Sequence, residues 1–223
     1  MMRDAATRRF DLVVFDWDGT LMDSTTLIAE ALQQAFRDLG LAVPDDAAAR
    51  YVIGLGLSDA MKSVAPELPP HRYAELGARY REHYLAREDD IPLFAGAREM
   101  LADLDSAGYL MAVATGKTRA GLARAIAKAD LQGVFHATRC ADEGLPKPHP
   151  DMLLYLMDRL EVGPRETLMI GDTTHDLDLA QNAGAAGLAV TYGAHPPEDL
   201  AKWSPMATVH SVAELRAWLE QHA

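Results

Sequence analysis

Short runs of apolar residues alternate along the chain with longer segments in which apolar residues recur at helical spacing. This alternation is typical of strand–helix–strand units, in which a helix connects two parallel strands of one sheet. Near-continuous Val, Leu, Met and Ala in such runs favours strands that are buried on both faces. The pattern therefore predicts an α/β fold whose parallel sheet is built on six runs: LVVFD (12–16), YLMAVAT (109–115), VFHATR (134–139), TLMIGD (167–172), GLAVTY (187–192) and the shorter ATVH (207–210).

The segments between these runs differ in length. Three of them have room for one connecting helix each, and their helical patterns are GLARAIAKADL, PDMLLYLMDRLEV and DLDLAQNAGAA. The interval from Leu21 to Pro92 is too long for one connection and contains four helical patterns: STTLIAEALQQAFRDLG, DDAAARYVIG, SDAMKSVA and HRYAELGARYREHYLA. We therefore predict a catalytic core over 1–21 and 92–223, with a small helical unit inserted over 22–91.

Polar residues follow the apolar runs at the points where the strands end. The residues concerned are Asp16 and Asp18 after the first run, Thr115-Gly116-Lys117 at the end of the second, Gly171-Asp172 through Asp176 at the end of the fourth, and Lys147 in LPKPHP between the third and fourth. In an open α/β sheet, ligands bind outside the carboxyl ends of the strands. We therefore expect these side chains to lie together at one edge of the sheet.

The carboxylates in this set indicate a metal site. Asp16 and Asp172, held close together, would repel each other unless a cation lay between them. Oxygen ligands completed by water favour Mg²⁺. A bound magnesium ion would neutralise phosphate oxygens and leave one oxygen of Asp16 free as a nucleophile.

The other strand-end residues suit phosphoryl transfer. Asp18 has the position to protonate a leaving group and then to activate water. Thr115 offers a hydroxyl donor and Lys147 a fixed positive charge for the transferring oxygens. Backbone N–H groups around Trp17 and Asp18, and at Gly116, add candidate phosphate donors, and Gly19 permits the tight turn that aims them.

Charge and composition narrow the function classes. A formal net charge of −12 argues against a broad basic face for nucleic acid or anionic membrane. No apolar run approaches the roughly 18 residues of a membrane span, and the stretch MMRDAATRRF (1–10) lacks the apolar segment of a signal peptide. Cys140 is the only cysteine, so we expect a free thiol of ordinary pKa and a reducing, cytoplasmic setting.

FDWDGTL, ATGK, Lys147 before Pro148, and GDTTHD resemble, in this order, the four motifs of haloacid dehalogenase-like phosphohydrolases. Within that superfamily the chain looks most similar to the phosphoglycolate phosphatase-like subgroup. The resemblance covers nearly the whole chain, because the inserted helical segment is similar to the cap that the family carries between its first and second motifs.

The resemblance implies a Rossmann-like core with strand order 5-4-1-2-3, and a mobile helical cap. It implies that Asp16 becomes an aspartyl-phosphate and that Asp18 is the acid/base, whose main-chain carbonyl also contacts magnesium. Asp172 would supply the second carboxylate, and Asp176 and Thr173 would support the metal from outside its direct ligands. Dehalogenases of this fold lack the second acidic residue of the first motif, so Asp18 disfavours carbon–halogen chemistry.

Outside the core motifs, the predictions concern single positions. The glycine-rich turn IGLGLSD (53–59), with Gly54 and Gly56, is predicted to face the core and touch the non-phosphate end of a substrate. Arg50 and Lys62 flank this turn as candidates for a substrate carboxylate or second phosphate. Lys117 is predicted either at the mouth of the cleft or on a solvated face. We expect His175 on the exposed side of its loop, and RYREH (79–83) as a solvated helix face.

The function that these patterns predict is a magnesium-dependent phosphomonoesterase, acting through a phosphoaspartate on a small, phosphoglycolate-like metabolite, in a monomer or homodimer. One alternative is a phosphosugar mutase of the β-phosphoglucomutase type, in which the cap returns the phosphoryl group to the substrate. A more distant alternative is a signalling receiver domain. A receiver would carry a lone phosphoacceptor at a later strand end, in a domain of about 120 residues without the long insertion.

Overall fold

The structure is a computed structural model that describes residues 8–223. One sheet of parallel strands forms its centre, in the order β3-β2-β1-β4-β5-β6. The strands are β1 (Leu12–Phe15), β2 (Leu110–Thr115), β3 (Ala137–Cys140), β4 (Thr167–Gly171), β5 (Ala186–Val190) and β6 (Thr208–Val209). The first seven residues of the predicted core segment, and most of the N-terminal stretch 1–10, lie outside the described residues.

Strand β1 is the middle of the sheet and shows why the apolar runs are continuous. It pairs with β2 on one side and with β4 on the other. Because side chains alternate along a strand, Val13 and Phe15 enter one hydrophobic cluster and Leu12 and Val14 enter the other. All four are fully buried, so neither face of β1 tolerates a polar residue.

Helices cover both faces of the sheet. The α-helices are α1 (Thr25–Asp38), α2 (Asp46–Tyr51), α3 (Leu57–Val64), α4 (Tyr73–Leu85), α5 (Ala97–Ser106), α6 (Arg119–Lys128), α7 (Asp151–Leu160), α8 (Thr174–Ala183), α9 (Pro197–Leu200) and α10 (Val212–His222). Buried side chains of α5, α6 and α10 belong to the cluster on one face, and those of α7 and α8 to the cluster on the other. The predicted α/β fold, a parallel sheet with flanking helices, is confirmed.

Helices α1 to α4 form the insert between β1 and α5, and they have a hydrophobic cluster of their own. Leu32 and Phe36 of α1 pack there with Met61 of α3 and Leu76 of α4. The chain passes between this insert and the sheet through two adjacent segments. There Met22 bridges Leu93 in antiparallel fashion, and the Asp23 N–H donates to the Pro92 carbonyl at 3.0 Å.

The sheet order matches the expectation and extends it. Read from its other edge, the observed order contains the expected 5-4-1-2-3, with β6 added beside β5. The third strand lies later than predicted, because pairing with β2 begins only where Ala112 meets Ala137. Val134 and Phe135 instead pack against the core as partly buried side chains ahead of the strand.

Candidate active site

The strand-end residues meet at the carboxyl edge of the sheet. Asp16 follows β1 and Asp172 follows β4, and these two strands are paired with Phe15 opposite Ile170. Thr115 ends β2, the other neighbour of β1, where Phe15 lies opposite Val113. The parallel register therefore carries three distant segments to one place, as the sequence predicts.

Three carboxylates are buried together at this edge. Asp16, Asp172 and Asp176 are each at most 1% exposed, and each has an oxygen within 4.8 Å of those of the other two. Lys147 Nζ lies 2.8 Å from Asp16 Oδ1 and 2.6 Å from Asp176 Oδ1. Three carboxylates against one ammonium leave a formal excess of two negative charges in a buried cluster.

Burial and the repulsion of neighbouring carboxylates raise the pKa values of Asp16 and Asp172. Burial, partly opposed by Lys147, raises the pKa of Asp16 well above its ordinary range. Burial and the charge of Asp176 raise the pKa of Asp172 to about 7. Burial acts to lower the pKa of Lys147, but Asp16 and Asp176 outweigh it and hold that pKa above its usual value. The lysine is therefore a fixed cation, whereas the carboxylates lack enough positive charge.

Asp172 is held by donors on both of its oxygens. The Thr20 hydroxyl donates to Oδ1 at 2.8 Å, and the Ala194 N–H donates to Oδ2 at 2.7 Å. Gly19, at φ +83°, brings the turn after β1 against this carboxylate, and a Cβ there would overlap it. Sequence reasoning missed Thr20 and Ala194. Thr20 stands inside the FDWDGTL motif and was open to inference, whereas a main-chain donor leaves no signal in the sequence.

The acidic cluster fits a divalent cation. Asp16 Oδ2 is buried and accepts no hydrogen bond from any described residue, which is costly unless a ligand meets it. The donor atoms are carboxylate oxygens only, and hard divalent cations prefer oxygen ligands. A charge of +2 would also balance the cluster. The residues present therefore match the metal that the sequence implies.

Asp176 and Thr173 organise the start of α8 behind this cluster. The Thr173 hydroxyl donates to Asp176 Oδ2 at 2.7 Å, and the Thr173 N–H donates to the same oxygen at 3.0 Å. The Asp176 N–H donates in turn to the Thr173 hydroxyl oxygen at 3.3 Å. With the Thr173 N–H contact this completes a capping box, in which the two residues satisfy each other's free groups at a helix N-terminus. Because Asp176 Oδ1 faces Lys147, the helix start fixes the position of the lysine.

Asp18 lies outside the acidic cluster, with partners of its own. The Ser24 hydroxyl donates to its Oδ1 at 2.7 Å, and Lys117 Nζ lies 3.1 Å from its Oδ2. Lys117 also donates to the Tyr84 hydroxyl at 2.8 Å. Of the two predicted places for Lys117, the structure shows the cleft. Ser24 and Tyr84 were missed because Ser24 reads as an ordinary helix cap and Tyr84 belongs to the insert.

Comparison with known proteins identifies the family. A family model described as haloacid dehalogenase-like hydrolase matches residues 13–190, which is more than half of the chain. The chain belongs to the haloacid dehalogenase-like hydrolases. It is 38% identical over 210 residues to a "probable phosphatase IndB" of Dickeya dadantii, covering 92% of this chain and 91% of that protein. It is 31% identical over 215 residues to a phosphoglycolate phosphatase of Vibrio vulnificus, covering 92% and 93% of the two chains.

A solved structure agrees on the fold. A predicted phosphoglycolate phosphatase from Haemophilus somnus superposes with a TM-score of 0.83 at 23% identity, over 94% of this chain and 97% of that one. At this identity the likeness shows the fold alone. The family and the phosphatase relatives confirm the predicted enzyme class, a haloacid dehalogenase-type phosphatase, and leave the receiver-domain alternative without support. Among the described residues, no helix is both long and apolar enough to cross a bilayer.

The remaining predicted phosphate contacts lie near the phosphatase centre. Thr115 is buried at 1% exposure, and its hydroxyl accepts from the Lys117 N–H at 3.2 Å. The Trp17 side chain is fully buried in the core, edge-on to Phe135. The backbone N–H of Trp17 is therefore its only candidate phosphate donor, and that role stays a prediction.

The glycine-rich turn of the insert lies against the core. An ideal Cβ on Gly116 would lie 2.5 Å from the Leu55 carbonyl oxygen and 2.6 Å from that of Gly54. A Cβ on Gly54 would lie 3.9 Å from Asp16 Oδ2. A Cβ on Gly56 would lie 3.3 Å from the Ala141 side chain. The insert therefore covers the strand edge in a closed arrangement.

The two predicted cap cations have their partners within the insert, and their role toward a substrate stays a prediction. Arg50 bonds to Asp46 and to the hydroxyls of Thr25 and Thr26. Lys62 is exposed and pairs with Asp59 at 3.4 Å. Helical spacing in the insert placed both residues near the turn, but it carried no information on how the insert is oriented against the sheet.

The prediction for His175 is wrong. The side chain is 6% exposed, and its Nε2 lies 2.8 Å from the carbonyl oxygen of Tyr51 in the insert. His195, which the sequence analysis did not single out, lies 3.0 Å from the same oxygen, and its ring stacks on that of Tyr51. Two core histidines thus hold the insert at the end of α2.

Two further expectations need correction. Burial raises the pKa of Cys140 to about 12, so its thiol is not ordinary. RYREH is only partly a solvated face, because Tyr80 turns inward and stacks on Tyr84, with ring centroids 5.9 Å apart. The two tyrosines line a cavity of about 270 Å³ between insert and core, which Asp18 and Lys117 also line.

Proposed function

We propose that this phosphatase is a magnesium-dependent phosphomonoesterase, which hydrolyses a small phosphorylated metabolite through a phosphoaspartate on Asp16. The observation that carries the proposal is the environment of Asp16. Its carboxylate is buried, faces Lys147 at 2.8 Å, and has a second oxygen without a donor among the described residues. A carboxylate desolvated in this way, at a strand end that the insert covers, suits nucleophilic attack.

In the first half-reaction, a carboxylate oxygen of Asp16 attacks phosphorus in line with the ester oxygen. A bond forms between Asp16 and phosphorus, and the bond from phosphorus to the ester oxygen breaks, with its electron pair staying on that oxygen. The protonated Asp18 gives its proton to this oxygen, so the product leaves as a neutral alcohol. Lys147 and Thr115 hold the transferring phosphoryl oxygens.

In the second half-reaction, the Asp18 carboxylate takes a proton from a water molecule as the water oxygen attacks phosphorus. The bond between Asp16 and phosphorus breaks, phosphate leaves, and Asp18 is again protonated. Ser24 and Lys117 each hold one oxygen of Asp18, at 2.7 and 3.1 Å. They act as positioning residues that keep the same carboxyl group in place for both proton transfers.

The residues that would hold magnesium are Asp16 and Asp172 through their side chains, and Asp18 through its main-chain carbonyl. Asp176 and Thr173 would support this set through Lys147 and the start of α8. When bound, the ion supplies positive charge that neutralises the phosphate oxygens. Thr20 and the Ala194 N–H keep Asp172 aimed at that position.

The insert 22–91 would act as the cap of this enzyme. The paired segments at Met22 and Leu93 would serve as its hinge, since both crossings between insert and core are there. Closure over the strand edge separates the first half-reaction from bulk water. The turn at Gly54 and Gly56 would then face the substrate end that carries no phosphate.

The test of this proposal is phosphate release from a panel of phosphomonoesters that includes phosphoglycolate, the compound in the name of one relative. We expect release that needs magnesium, stops with EDTA and returns when magnesium is added back. Asp16→Asn should reduce kcat by about three orders of magnitude or more, because the nucleophile is gone. Asp23→Asn, an exposed carboxylate in the same segment, is the matched control and should retain full activity.

Release that persists after thorough chelation, or wild-type turnover by Asp16→Asn of verified intact mass, would contradict the scheme. The same panel separates hydrolase from mutase. A phosphosugar mutase would need a hexose bisphosphate for activity and would convert one hexose phosphate into another. The proposed hydrolase releases phosphate without that activator.

A further inference from the structure

The cavity between insert and core reaches the proposed reaction centre at Asp18, whereas Asp16, Thr115, Lys147 and Asp172 do not line it. Asp18 lines it, together with Gly54 and Gly116. Asp18 is the residue that must reach the ester oxygen, so the group attached to that oxygen extends into this space. The cavity measures about 270 Å³, near the lower end of pockets for small organic ligands, which run from about 300 to 1,000 Å³.

The walls of this cavity are apolar. They are contributed by α1, the turn before α3, α3 itself and α4, and their apolar side chains are Ile28, Leu32, Val52, Ile53, Leu55, Leu57, Ala60, Met61 and Leu85, with the stacked rings of Tyr80 and Tyr84. Hydroxyl or carboxylate groups placed against such walls lose water without gaining a partner, at a cost of several kcal/mol for a charge. An alkyl or aryl group gains from the same burial.

Every charged side chain that lines the cavity, with one exception, is already in an ion pair. Lys117 pairs with Asp18 and donates to Tyr84. Arg124 pairs with Glu88 at 2.9 Å. Arg81 is exposed and has no hydrogen-bond or ion-pair partner among the residues that the structure describes, but a solvated guanidinium is a weak anchor for a substrate anion. The cavity therefore offers no buried, free cation for a second anionic group.

We infer that the physiological leaving group is an apolar alcohol, alkyl or aryl, that fills this cavity, and not a two-carbon hydroxy acid or a sugar. The inference rests on the proposed phosphomonoesterase function and specifies its substrate class. The chemistry at Asp16 is unchanged by it. Specificity comes from the apolar area that the leaving group buries against the insert when the cavity is closed.

The experiment compares kcat/KM for ethyl, n-butyl, n-hexyl and benzyl phosphates with that for phosphoglycolate and glucose 6-phosphate, in magnesium. These leaving groups are all unactivated alcohols, so differences in kcat/KM reflect mainly how well each alcohol fits the cavity. Burying each methylene should raise kcat/KM about fourfold at most, and n-butyl phosphate should exceed ethyl phosphate by about tenfold. Acetyl phosphate serves as a probe of phosphoryl transfer alone, because its small leaving group leaves the cavity almost empty.

Variants test whether the apolar wall is the cause. Leu57→Asn places an amide in the cavity and should lower kcat/KM for n-hexyl phosphate by tenfold or more, with acetyl phosphate unchanged within about twofold. Met61→Leu conserves volume and polarity, and should retain the preference even if Leu57→Asn fails to fold. Arg81→Gln changes a charged lining residue and should leave the alkyl series unaltered.

The outcomes distinguish an error in the inferred substrate class from an error in the proposed phosphomonoesterase function. The inference is supported if kcat/KM rises along the alkyl series and if Leu57→Asn reduces this rise. A flat series, or a preference for phosphoglycolate or glucose 6-phosphate over every alkyl and benzyl phosphate, overturns the inference while the phosphomonoesterase stands. No phosphate release from any compound, acetyl phosphate included, overturns the proposed function and the inference with it.

Discussion

Lys147 contacts two of the three buried carboxylates through one ammonium group, and Asp172 has only neutral donors. Buried charges are costly unless each is paired and hydrogen-bonded. The cluster falls short of that condition, because Asp16 Oδ2 has no donor among the described residues. Such an arrangement favours binding of a cation and a phosphoryl group over stability of the free protein.

Cys140 is the residue whose chemistry differs most from its sequence-based expectation. Its thiol is fully buried at the end of β3, and burial raises its pKa to about 12. The reactive form of a thiol is the thiolate. Near pH 8 a thiol with this pKa is ionised to only about one part in ten thousand, against roughly a quarter for an ordinary cysteine.

We therefore expect Cys140 in the native enzyme to react with a disulfide reagent such as DTNB at least about a thousandfold more slowly than in guanidinium chloride. The raised pKa sets the sign, since thiolate is depleted in the folded state and restored on unfolding. The absorbance of the aromatic thiolate that DTNB releases gives both rates. Equal rates in native and unfolded protein would mean that Cys140 is exposed and ordinary.

At the scale of elements, the parallel strands were predictable and the orientation of the insert was not. The motif at Asp16 and the one at Asp172 lie on neighbouring strands, so one rule about strand ends brings them together. Arg50 and Lys62 do not line the cavity, and helical spacing could not show this, because it gives the faces of a helix and not the partner of each face. His175 and His195 were unpredictable for the same reason, since their shared partner is a carbonyl oxygen of the insert.

The contact between the Gly54 turn and the loop after β2 leads to a prediction. In Gly116→Ala, the new Cβ would meet the backbone oxygens of Leu55 and Gly54 at 2.5 and 2.6 Å. Backbone cannot move aside as a flexible side chain can. The variant should keep its core fold, lose the closed state, and show kcat/KM for phosphate release at least about tenfold below wild type, equivalent to about 1.4 kcal/mol.

The measurement pairs this kinetic assay with small-angle X-ray scattering, in which an open insert increases the radius of gyration. Gly77→Ala in α4 is the control, because a Cβ there makes only ordinary contacts with side chains, 3.5 Å from Leu57 and 4.0 Å from Arg81. It should keep wild-type kinetics and gain slightly in stability, as alanine favours a helix over glycine. Wild-type activity and scattering in Gly116→Ala would refute the closed contact.

At the scale of the whole molecule, the protein combines a rigid sheet with a separately packed insert. The sheet positions Asp16, Asp172 and Thr115 through strand register, and the insert has its own hydrophobic cluster around Leu32 and Phe36. The two bodies meet over the strand edge, where the apolar cavity lies. On the proposed function, the core motifs would determine the phosphoryl chemistry, and the insert would determine which alcohol carries the phosphate.

The sequence predicted the placement of the core motif residues well, because each of these residues follows a buried apolar run at a strand end. It predicted the cavity poorly, because the cavity walls come from Ile28, Tyr80 and other residues that read as core or surface of helices. Their shared role emerges only when three helices and one turn of the insert meet the core loop after β2. A net charge of −12 likewise does not indicate an apolar cavity.

The central claim is that Asp16 is transiently phosphorylated. It is tested most directly by acid quench of Asp18→Asn during turnover of p-nitrophenyl phosphate, followed by peptide mass spectrometry. The activated ester needs no proton from residue 18, whereas hydrolysis of the intermediate needs its carboxylate. The account predicts a burst of p-nitrophenol and one phosphoryl group on Asp16, removable with hydroxylamine. A burst that leaves Asp16 unmodified, or a phosphoryl group on another residue, would contradict it.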